Sequence, residues 1–257
     1  MGMPELKWAR DKKVEEIEDE LDEKEAIRLN KWGKNLENKS IQRVTSGIPG
    51  LDPLMEGGFI KGSNIIVSGL QGTGKTAFAI GFIAEGCKNG EKCLYITAEQ
   101  SPASIMMQSL QFQMPYPKWE AQGDLQFAYL NFKKPMSTKL LNYIIRTIEQ
   151  NPWDRMAIDS ISALMDAPFA SFNNILELFE KTAEYDITTV CVARKVAEKD
   201  RASEFIEYVG DALINLEAGT IGKTPSRTLQ YRKMRLTNVE RSPHNYEITK
   251  NGFTLLI

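Results

Sequence analysis

The sequence predicts an α/β fold in which a mostly parallel sheet is flanked by helices, with antiparallel strands after it and a helical arm before it. Three observations lead to this prediction. Apolar, β-branched runs alternate with segments of helical period from residue 64 to about residue 193. Beyond residue 211, strand patterns follow one another across short turns. Before residue 41 the chain is strongly charged.

The alternating part has five predicted strands and four predicted helices. The strands are predicted at 64–68, 92–97, 125–130, 155–159 and 187–193, and the helices near 76–88, 101–113, 137–150 and 172–185. Because a helix separates each strand from the next, we expect the strands to run parallel. Further strands are predicted at 212–216, 226–235, 244–249 and 253–257, where short turns favour an antiparallel extension at the sheet edge.

Length and composition indicate one globular domain with a short appendage. The 257 residues are 42% hydrophobic, enough for one core, and the formal net charge of −2 excludes binding to nucleic acid or membrane by bulk charge. No run approaches the roughly 18 apolar residues that a membrane span needs, and the first thirty residues lack an apolar leader. We therefore expect a cytoplasmic protein with an arm at 1–40 and a domain at 41–257.

The predicted arm is an acidic helix. Between residues 11 and 25 nine positions are acidic, and Val14, Ile17 and Leu21 form a thin apolar stripe at helical spacing. A stripe this narrow does not bury alone. Two interpretations stay open: a solvated, partly disordered arm, or an arm that docks on a neighbouring subunit.

The strongest chemical signal is Gly69-Leu-Gln-Gly-Thr-Gly-Lys-Thr76, a complete Walker A motif between a predicted strand and a predicted helix. Backbone N–H groups of such a loop and the N-terminus of its helix bind phosphate oxygens. We expect Lys75 to contact the β- and γ-phosphates of ATP and the Thr76 hydroxyl to bind Mg²⁺. The predicted nucleotide-binding residues are Gly69, Gln71, Gly72, Thr73, Gly74, Lys75, Thr76 and Ala77.

Two carboxylates follow predicted strands at the same edge of the sheet. Asp159 ends the apolar strand 155–159, where a Walker B carboxylate belongs, and is the second predicted ligand of Mg²⁺. Glu99 follows the strand after the Walker A helix, where a carboxylate can orient and deprotonate the attacking water. For Glu99 a second interpretation is equally open, in which it caps the helix that Ser101 and Pro102 begin.

Other reactive side chains are few. There is one histidine, His244, and the three cysteines have a spacing that matches no metal site or disulfide framework. The chemistry therefore rests on carboxylates, hydroxyls, lysine and arginine.

Motifs across residues 42–257 follow the order and spacing of the RecA superfamily, and within it the chain resembles single-domain KaiC-like and archaeal RadA-paralogue ATPases. The motifs lie at 45–52, 57–58, 69–76, 95–102, 158–163, 207–211 and 233–249. The resemblance implies a RecA-like P-loop core that binds ATP with Mg²⁺ and hydrolyses it to ADP and phosphate. It also implies self-association into a ring, often a hexamer, or a filament, with ATP between subunits.

The resemblance assigns roles to individual residues. It favours Glu99 as the catalytic glutamate, and it implies that Lys233 and Arg235 reach the γ-phosphate held by a neighbouring subunit. Two residues apart on a predicted strand, both side chains project from one face. The predicted catalytic set is thus Glu99, Lys75, Lys233 and Arg235. An exposed, alternating charged strand is the open alternative for the last two.

Three positions depart from the family pattern. KaiC proteins carry two adjacent glutamates where this chain has Glu99 and Gln100, Arg194 stands where relatives often have a polar sensor, and Leu236 replaces a common glycine. These departures bear on the hydrolysis rate and not on nucleotide binding. Gln100→Glu, which restores the pair, is expected to raise turnover. The sequence has no second domain with the phosphorylation sites of the cyanobacterial clock protein, so no clock function is implied.

Two predicted loops bear on whether the partner is DNA or protein. In RecA-like recombinases the loops after the Walker B strand and after the next strand hold DNA. Here the first, 160–174, has no basic residue but carries Phe169 and Phe172, which can stack bases, and the second, 194–205, has four basic and three acidic residues. We interpret the chain first as an ATPase that modulates DNA recombination or repair on single-stranded DNA. The alternatives are an ATP-gated protein-assembly or signalling module and an ATP sensor that scarcely hydrolyses.

Overall fold

The computed structural model describes residues 41–130, 139–167, 171–195, 201–221 and 224–256. The strands are β1 (Arg43–Val44), β2 (Phe59–Ile60), β3 (Asn64–Gly69), β4 (Cys93–Thr97), β5 (Leu125–Tyr129), β6 (Arg155–Asp159), β7 (Thr188–Arg194), β8 (Ala212–Ile221), β9 (Thr224–Met234), β10 (His244–Thr249) and β11 (Gly252–Leu255). The helices are α1 (Lys75–Lys88), α2 (Pro102–Gln111), α3 (Tyr116–Gln122), α4 (Lys139–Gln150), α5 (Ile161–Met165), α6 (Phe172–Glu184) and α7 (Arg201–Val209). The predicted arm at 1–40 lies outside the described residues and stays a prediction, as does the boundary before residue 41.

The large sheet confirms the predicted fold class. Its strand order is β11-β10-β9-β8-β3-β7-β6-β4-β5. The six strands from β8 to β5 in that order run parallel, and β9, β10 and β11 continue the sheet antiparallel beyond β8. No helix in the described part of the chain is long and apolar enough to cross a membrane.

Strand register brings four strand ends to one edge of the sheet. Gly69 at the end of β3 pairs with Arg194 at the end of β7, and Thr97 at the end of β4 pairs with Asp159 at the end of β6. Because these strands are parallel, the segments that follow them all start at this edge. In open parallel sheets this carboxyl edge is where ligands bind.

Apolar side chains cover both faces of the sheet. Strand residues alternate between the faces, so that Ile65 belongs to a core with the buried helix α1, whereas Ile66 packs on the other face. That second core includes side chains of α4, α5, α6 and α7, such as Leu178. The sheet is therefore buried between two helical layers, as its near-continuous apolar strands require.

The structure differs from the predicted elements in several respects, among them the short strands β1 and β2 and the extension of β8 to Ile221, which were not predicted. The helices α3, α5 and α7 were not predicted, because segments of five to nine residues carry little periodic signal. The strand predicted at 226–235 ends at Met234, so that Arg235 lies one residue beyond it. In addition, the register between β8 and β9 shifts at Leu213 and Ile214, and the extra residue on β9 is Arg232.

Arg155, at the start of β6, is a charged residue inside the core, and its side chain is only 1% exposed. The guanidinium forms a bidentate ion pair with Glu91, in which the Nη2–Oε1 distance is 3.0 Å. Nη1 donates to the carbonyl oxygens of Thr45 at 2.7 Å and Phe82 at 3.2 Å. Each of its three nitrogens therefore has a partner, and the side chain links β6, α1 and the segments before β2 and β4.

We expect Arg155→Ala to lower the free energy of unfolding by about 3–5 kcal/mol, because it leaves Glu91 and two carbonyl oxygens without their donor. Urea denaturation measures this change. The matched control is Lys92→Ala, which breaks a more exposed ion pair with Asp124 (2.9 Å) and is expected to cost about 0–1 kcal/mol. Losses of equal size in the two variants would contradict the structural role given to Arg155.

Candidate functional site

The Walker A segment forms a loop between β3 and α1, as predicted. The N–H and the hydroxyl of Thr73 both donate to the carbonyl of Leu70, at 3.4 and 2.8 Å, and the Tyr246 hydroxyl donates to the carbonyl of Thr73 at 2.5 Å. Helix α1 begins at Lys75, and its N-cap residue Gly74 supplies no side-chain hydrogen bond. The N–H groups of the first helical turn are thus not capped by that residue and can bind phosphate oxygens.

Glycine is favoured at three positions of this loop, at two of them by close contacts and at Gly72 by its positive φ. A Cβ atom on Gly69 would lie 2.5 Å from the carbonyl oxygen of Leu216, and one on Gly74, whose φ is +92°, would lie 2.2 Å from Cδ1 of Ile248. Gly72, with a φ of +81°, has no atom within 4 Å of such a position. The first two glycines let the loop pass close to β8 and β10, and the third leaves open space where a ligand can approach.

The remaining predicted loop residues take different positions. Gln71 is exposed, whereas the Ala77 side chain is buried in the core, so Ala77 can meet a nucleotide only through its backbone. Lys75 Nζ donates to the carbonyl oxygens of Gly69 at 2.9 Å and Leu70 at 2.8 Å. Burial lowers the pKa of Lys75, while Asp159 and Glu99 act in the opposite direction. The amine is thus held at the loop by acceptors that phosphate oxygens can replace.

Asp159 is brought against the first turn of α1. Its Oδ2 accepts the Thr76 hydroxyl at 2.8 Å and the Tyr95 hydroxyl at 3.1 Å. Burial raises the pKa of Asp159, although both hydrogen bonds and the charge of Lys75 lower it. The two predicted magnesium ligands, Thr76 and Asp159, are therefore adjacent in the folded chain.

This donor set fits Mg²⁺. The ion prefers oxygen ligands and is usually held by one or two carboxylates together with substrate phosphates and water. Thr76 and Asp159 supply a hydroxyl and a carboxylate beside the phosphate loop, and among the described residues no cluster of three or more His, Cys, Asp or Glu could hold a metal. Water and the nucleotide's oxygens would complete the coordination of a metal held by these two residues.

Glu99 lies directly beside Asp159. The N–H of Ala98 donates to the carbonyl of Asp159 at 2.8 Å, and the hydroxyl of Ser160 donates to Oε1 of Glu99. Glu99 is exposed. The helix that follows is capped by Ser101, whose hydroxyl accepts the N–H of Ser104 at 3.3 Å, and not by Glu99. The structure therefore contradicts the interpretation in which Glu99 caps this helix.

Gln100 is directed towards α2. Its Oε1 accepts the hydroxyl of Ser104 at 2.8 Å and the amide of Gln108 at 2.6 Å, while its carbonyl accepts the Thr97 hydroxyl at 2.7 Å. The side chain is thus held by the helix and not by the carboxylates of the site. A glutamate here could accept the same two donors, so the structure gives no reason for Gln100→Glu to supply a second base.

Sequence reasoning missed Tyr95 and Ser160, which orient the two carboxylates. Tyr95 lies in the middle of a buried strand, and a buried tyrosine hydroxyl usually has a hydrogen-bond partner. That rule gives a signal for Tyr95, but the identity of the partner depends on the pairing of β4 with β6. For Ser160 the sequence offers only its position after Asp159.

Lys233 and Arg235 lie far from the phosphate loop of their own chain. Lys233 pairs with Leu213, which is three residues before Leu216 on β8, whereas Leu216 pairs with Gly69. At about 3.3 Å a residue, this puts Lys233 roughly 10 Å further towards the amino edge of the sheet. Within one chain, the loop and this pair therefore face opposite edges.

The two basic residues also differ from each other. Lys233 Nζ donates to the carbonyl oxygen of Glu207, in the last turn of α7, at 2.7 Å and to that of Gly210, just after the helix, at 2.6 Å. Burial, followed by the charge of Arg235, lowers the pKa of Lys233. Arg235 is 55% exposed and makes a 3.4 Å ion pair with Asp211. Arg235 is thus the more accessible of the two, while Lys233 is engaged by its own helix.

Two loops were considered above as DNA-binding loops. The basic side chains in them that the structure describes are each paired with an acidic side chain. Arg194 forms an ion pair with Asp166 at 2.5 Å, and Lys195 forms one with Glu217 at 3.2 Å. The ring of Phe172 packs on Phe205, with 4.8 Å between centroids. Phe169, Lys199 and the side chain of Arg201 lie outside the described residues.

A parallel sheet with a Walker A loop at its carboxyl edge, and a Walker B aspartate at the end of a strand two positions away in the sheet, defines the class of RecA-like P-loop nucleotide-binding proteins. Residues 44–256 match the family described as "ATPase: KaiC". The chain belongs to this KaiC-like ATPase family.

Individual relatives agree with this family. A UPF0273 protein of Methanopyrus kandleri is 26% identical over 230 residues, which are 83% of this chain and 91% of that protein. The circadian clock oscillator protein KaiC of Prochlorococcus marinus is 30% identical over 246 residues, 88% of this chain but 45% of the clock protein. The crystal structure of a KaiC-like protein of Pyrococcus horikoshii matches with a TM-score of 0.76 and 28% identity, covering 85% of this chain and all of that one.

Because Asp159 is buried with a raised pKa, Asp159→Asn should increase the free energy of unfolding of the nucleotide-free protein at pH 7. The gain should shrink as the pH falls through the raised pKa towards the ordinary value of about 3.9, since the parent carboxyl is then protonated in both states. Mg²⁺ affinity in the presence of ATP should fall at least about 10-fold.

Urea denaturation across pH and Mg²⁺ titration measure these two effects. The control is Asp154→Asn, which changes an exposed carboxylate at the other end of β6 and should leave Mg²⁺ affinity unchanged. If Asp159→Asn keeps the parent Mg²⁺ affinity, the residue is not a magnesium ligand.

Proposed function

We propose that this protein is a Mg²⁺-dependent ATPase of the KaiC-like type that acts as an oligomer, with ATP bound at the boundary between subunits. The observation that carries the proposal is the grouping of Lys75, Thr76, Asp159 and Glu99 at one sheet edge, beside a loop built to bind phosphate. A cytoplasmic location goes with this proposal and stays a prediction.

Each residue has one task in the proposed reaction. Lys75 and the N–H groups of the first turn of α1 bind the phosphate oxygens, and Thr76 and Asp159 hold Mg²⁺, which when bound neutralises charge on those oxygens. Oε1 of Glu99 accepts the Ser160 hydroxyl, so we place at Oε2 the acceptance of a proton from the attacking water. The products are ADP and phosphate.

A second subunit completes the proposed site. An exposed arginine that reaches a γ-phosphate stabilises transition-state charge, but Arg235 faces the sheet edge opposite to its own Walker A loop. A neighbouring copy can bring its Arg235 to this loop if the copies associate head to tail, as in a ring or filament. A hexameric ring is the form that the family resemblance suggests.

Between the two candidate partners, the described surface favours protein over DNA. Binding to nucleic acid depends on unneutralised Lys and Arg, whereas Arg194 and Lys195 are each paired with an acid and the ring of Phe172 packs within its own chain. We therefore propose an ATP-gated protein-assembly or signalling module. An ATPase that modulates DNA recombination or repair on single-stranded DNA is the alternative that the third experiment below tests.

Glu99→Gln should reduce single-turnover ATP hydrolysis by about 10²–10⁴-fold, because an amide cannot usefully accept the proton of the attacking water. ATP affinity should not change, since the phosphates are bound by Lys75 and the loop. Gln100→Glu is the matched control, and we expect unchanged turnover because α2 holds that side chain. Full hydrolysis by Glu99→Gln would exclude it as the base, and a parent that binds ATP without turnover would identify an ATP sensor.

Arg235→Ala should also reduce hydrolysis, by about 10³-fold if it acts as an arginine finger. Mixing Arg235→Ala with Glu99→Gln should then restore part of the activity, because some boundaries combine an intact Glu99 with an intact Arg235. In the control mixture, Arg232→Ala replaces Arg235→Ala. Arg232 is an exposed arginine of the same strand, and the Arg232→Ala variant alone should turn over ATP as fast as the parent. An inactive Arg235→Ala that no mixture rescues would contradict a site shared between subunits.

The dissociation constant for single-stranded DNA should be larger than about 10⁻⁴ M at physiological salt, which is the weak limit of non-specific binding. Fluorescence anisotropy with a labelled oligonucleotide, at 50 and 200 mM salt with and without ATP, measures it. Affinity that is tight at low salt and falls about 10³-fold or more over this range would support the DNA alternative. Arg194→Ala would then show whether the loop after β7 contributes.

A further inference from the structure

Ser160 links the two carboxylates of the site. It follows Asp159 directly and is 2% exposed. Its hydroxyl donates to Oε1 of Glu99, and its Oγ accepts the N–H of Ala163 at 3.1 Å as the N-cap of α5. A hydroxyl has one proton and two lone pairs. The backbone donor therefore fixes the oxygen, and the proton is directed to Glu99.

The contact matters because Glu99 lies on an exposed bend between β4 and α2. The backbone on either side is held, since Ala98 donates to the carbonyl of Asp159 and Gln100 is bound by Thr97 and α2. The glutamate side chain itself has several rotatable bonds and would otherwise populate many rotamers. The hydrogen bond from Ser160 selects a rotamer close to Asp159.

Ser160 is in turn held firmly. Ile161 and Leu164 of α5 are buried in the core, and Oγ of Ser162 accepts the N–H of Arg194 at 2.9 Å, which fixes α5 to the end of β7. The Ser160 hydroxyl that donates to Glu99 therefore belongs to a buried turn between the ends of β6 and β7.

We propose that Ser160 is a positioning residue for the general base, in that its hydroxyl holds Glu99 where the carboxylate can accept the proton of the attacking water. This rests on the proposed function of Glu99. The alternative is a purely structural role, in which Ser160 only caps α5. Ser171 provides the comparison, because its hydroxyl caps α6 in the same way by accepting the N–H of Asn174 at 3.2 Å.

The test compares steady-state kinetics of full-length variants with their thermal unfolding. Ser160→Ala should lower kcat about 10-fold or more, the loss expected for a hydrogen bond to a charged group, with an unchanged KM for ATP. Ser160→Thr keeps both the donor and the acceptor and should recover most of kcat. Ser171→Ala removes a cap of the same kind and should leave kcat unchanged. If Ser160→Ala fails to fold, Ser160→Cys, with similar volume and a weak donor, takes its place.

The double variant Ser160→Ala with Glu99→Gln separates positioning from other effects. Once the base is absent, removing its support should cost little, so kcat should equal that of Glu99→Gln alone. The proposal is overturned if Ser160→Ala keeps the parent kcat, or if it lowers kcat by the same factor in both backgrounds. When Glu99→Gln loses turnover and Ser160→Ala does not, this inference alone is wrong. When Glu99→Gln keeps full turnover, the proposed base is wrong as well.

Discussion

The buried carboxylate of Asp159 is the group on which the arrangement of the site depends. Burial disfavours its charge, and the hydroxyls of Thr76 and Tyr95 offset that cost by donating to one of its oxygens. Those two hydroxyls come from α1 and β4, so satisfying one charge fixes the phosphate loop's helix against two neighbouring strands. In the proposed function the same carboxylate binds Mg²⁺.

The strand that carries Asp159 has a buried charge at each end. Arg155 at its start is paired with Glu91 and two carbonyl oxygens, whereas Asp159 at its end has hydroxyl partners. The first arrangement satisfies its groups within the protein and serves stability. The second leaves an anion with a raised pKa at the ligand edge, where a cation can use it. Two charges four residues apart thus have different roles because their partners differ.

Two opposite edges of the sheet carry different functional groups. The phosphate loop faces the carboxyl edge of the parallel strands, while Arg235 lies near the amino edge beyond β9. In the proposed function, ATP bound at the phosphate loop supplies the negative charge that Arg235 of a neighbouring copy meets, an arrangement that fits head-to-tail association better than two-fold pairing. The β-bulge at Arg232 lies immediately before this edge, where bulges commonly re-aim side chains.

From the sequence alone, the alternation of strands and helices predicted the α/β fold, and the Walker motifs predicted Lys75, Thr76 and Asp159, because those patterns are local and each follows from backbone geometry. The sequence could not say that Ser101 and not Glu99 caps α2, that Gln100 is held by its own helix, or that Tyr95 and Ser160 orient the carboxylates. Nor could it show that Lys233 is engaged by the end of α7 while Arg235 is exposed beside Asp211. Each of these depends on which strands are neighbours and in what register, and hydrogen bonds between residues distant along the chain are set only when the tertiary structure forms.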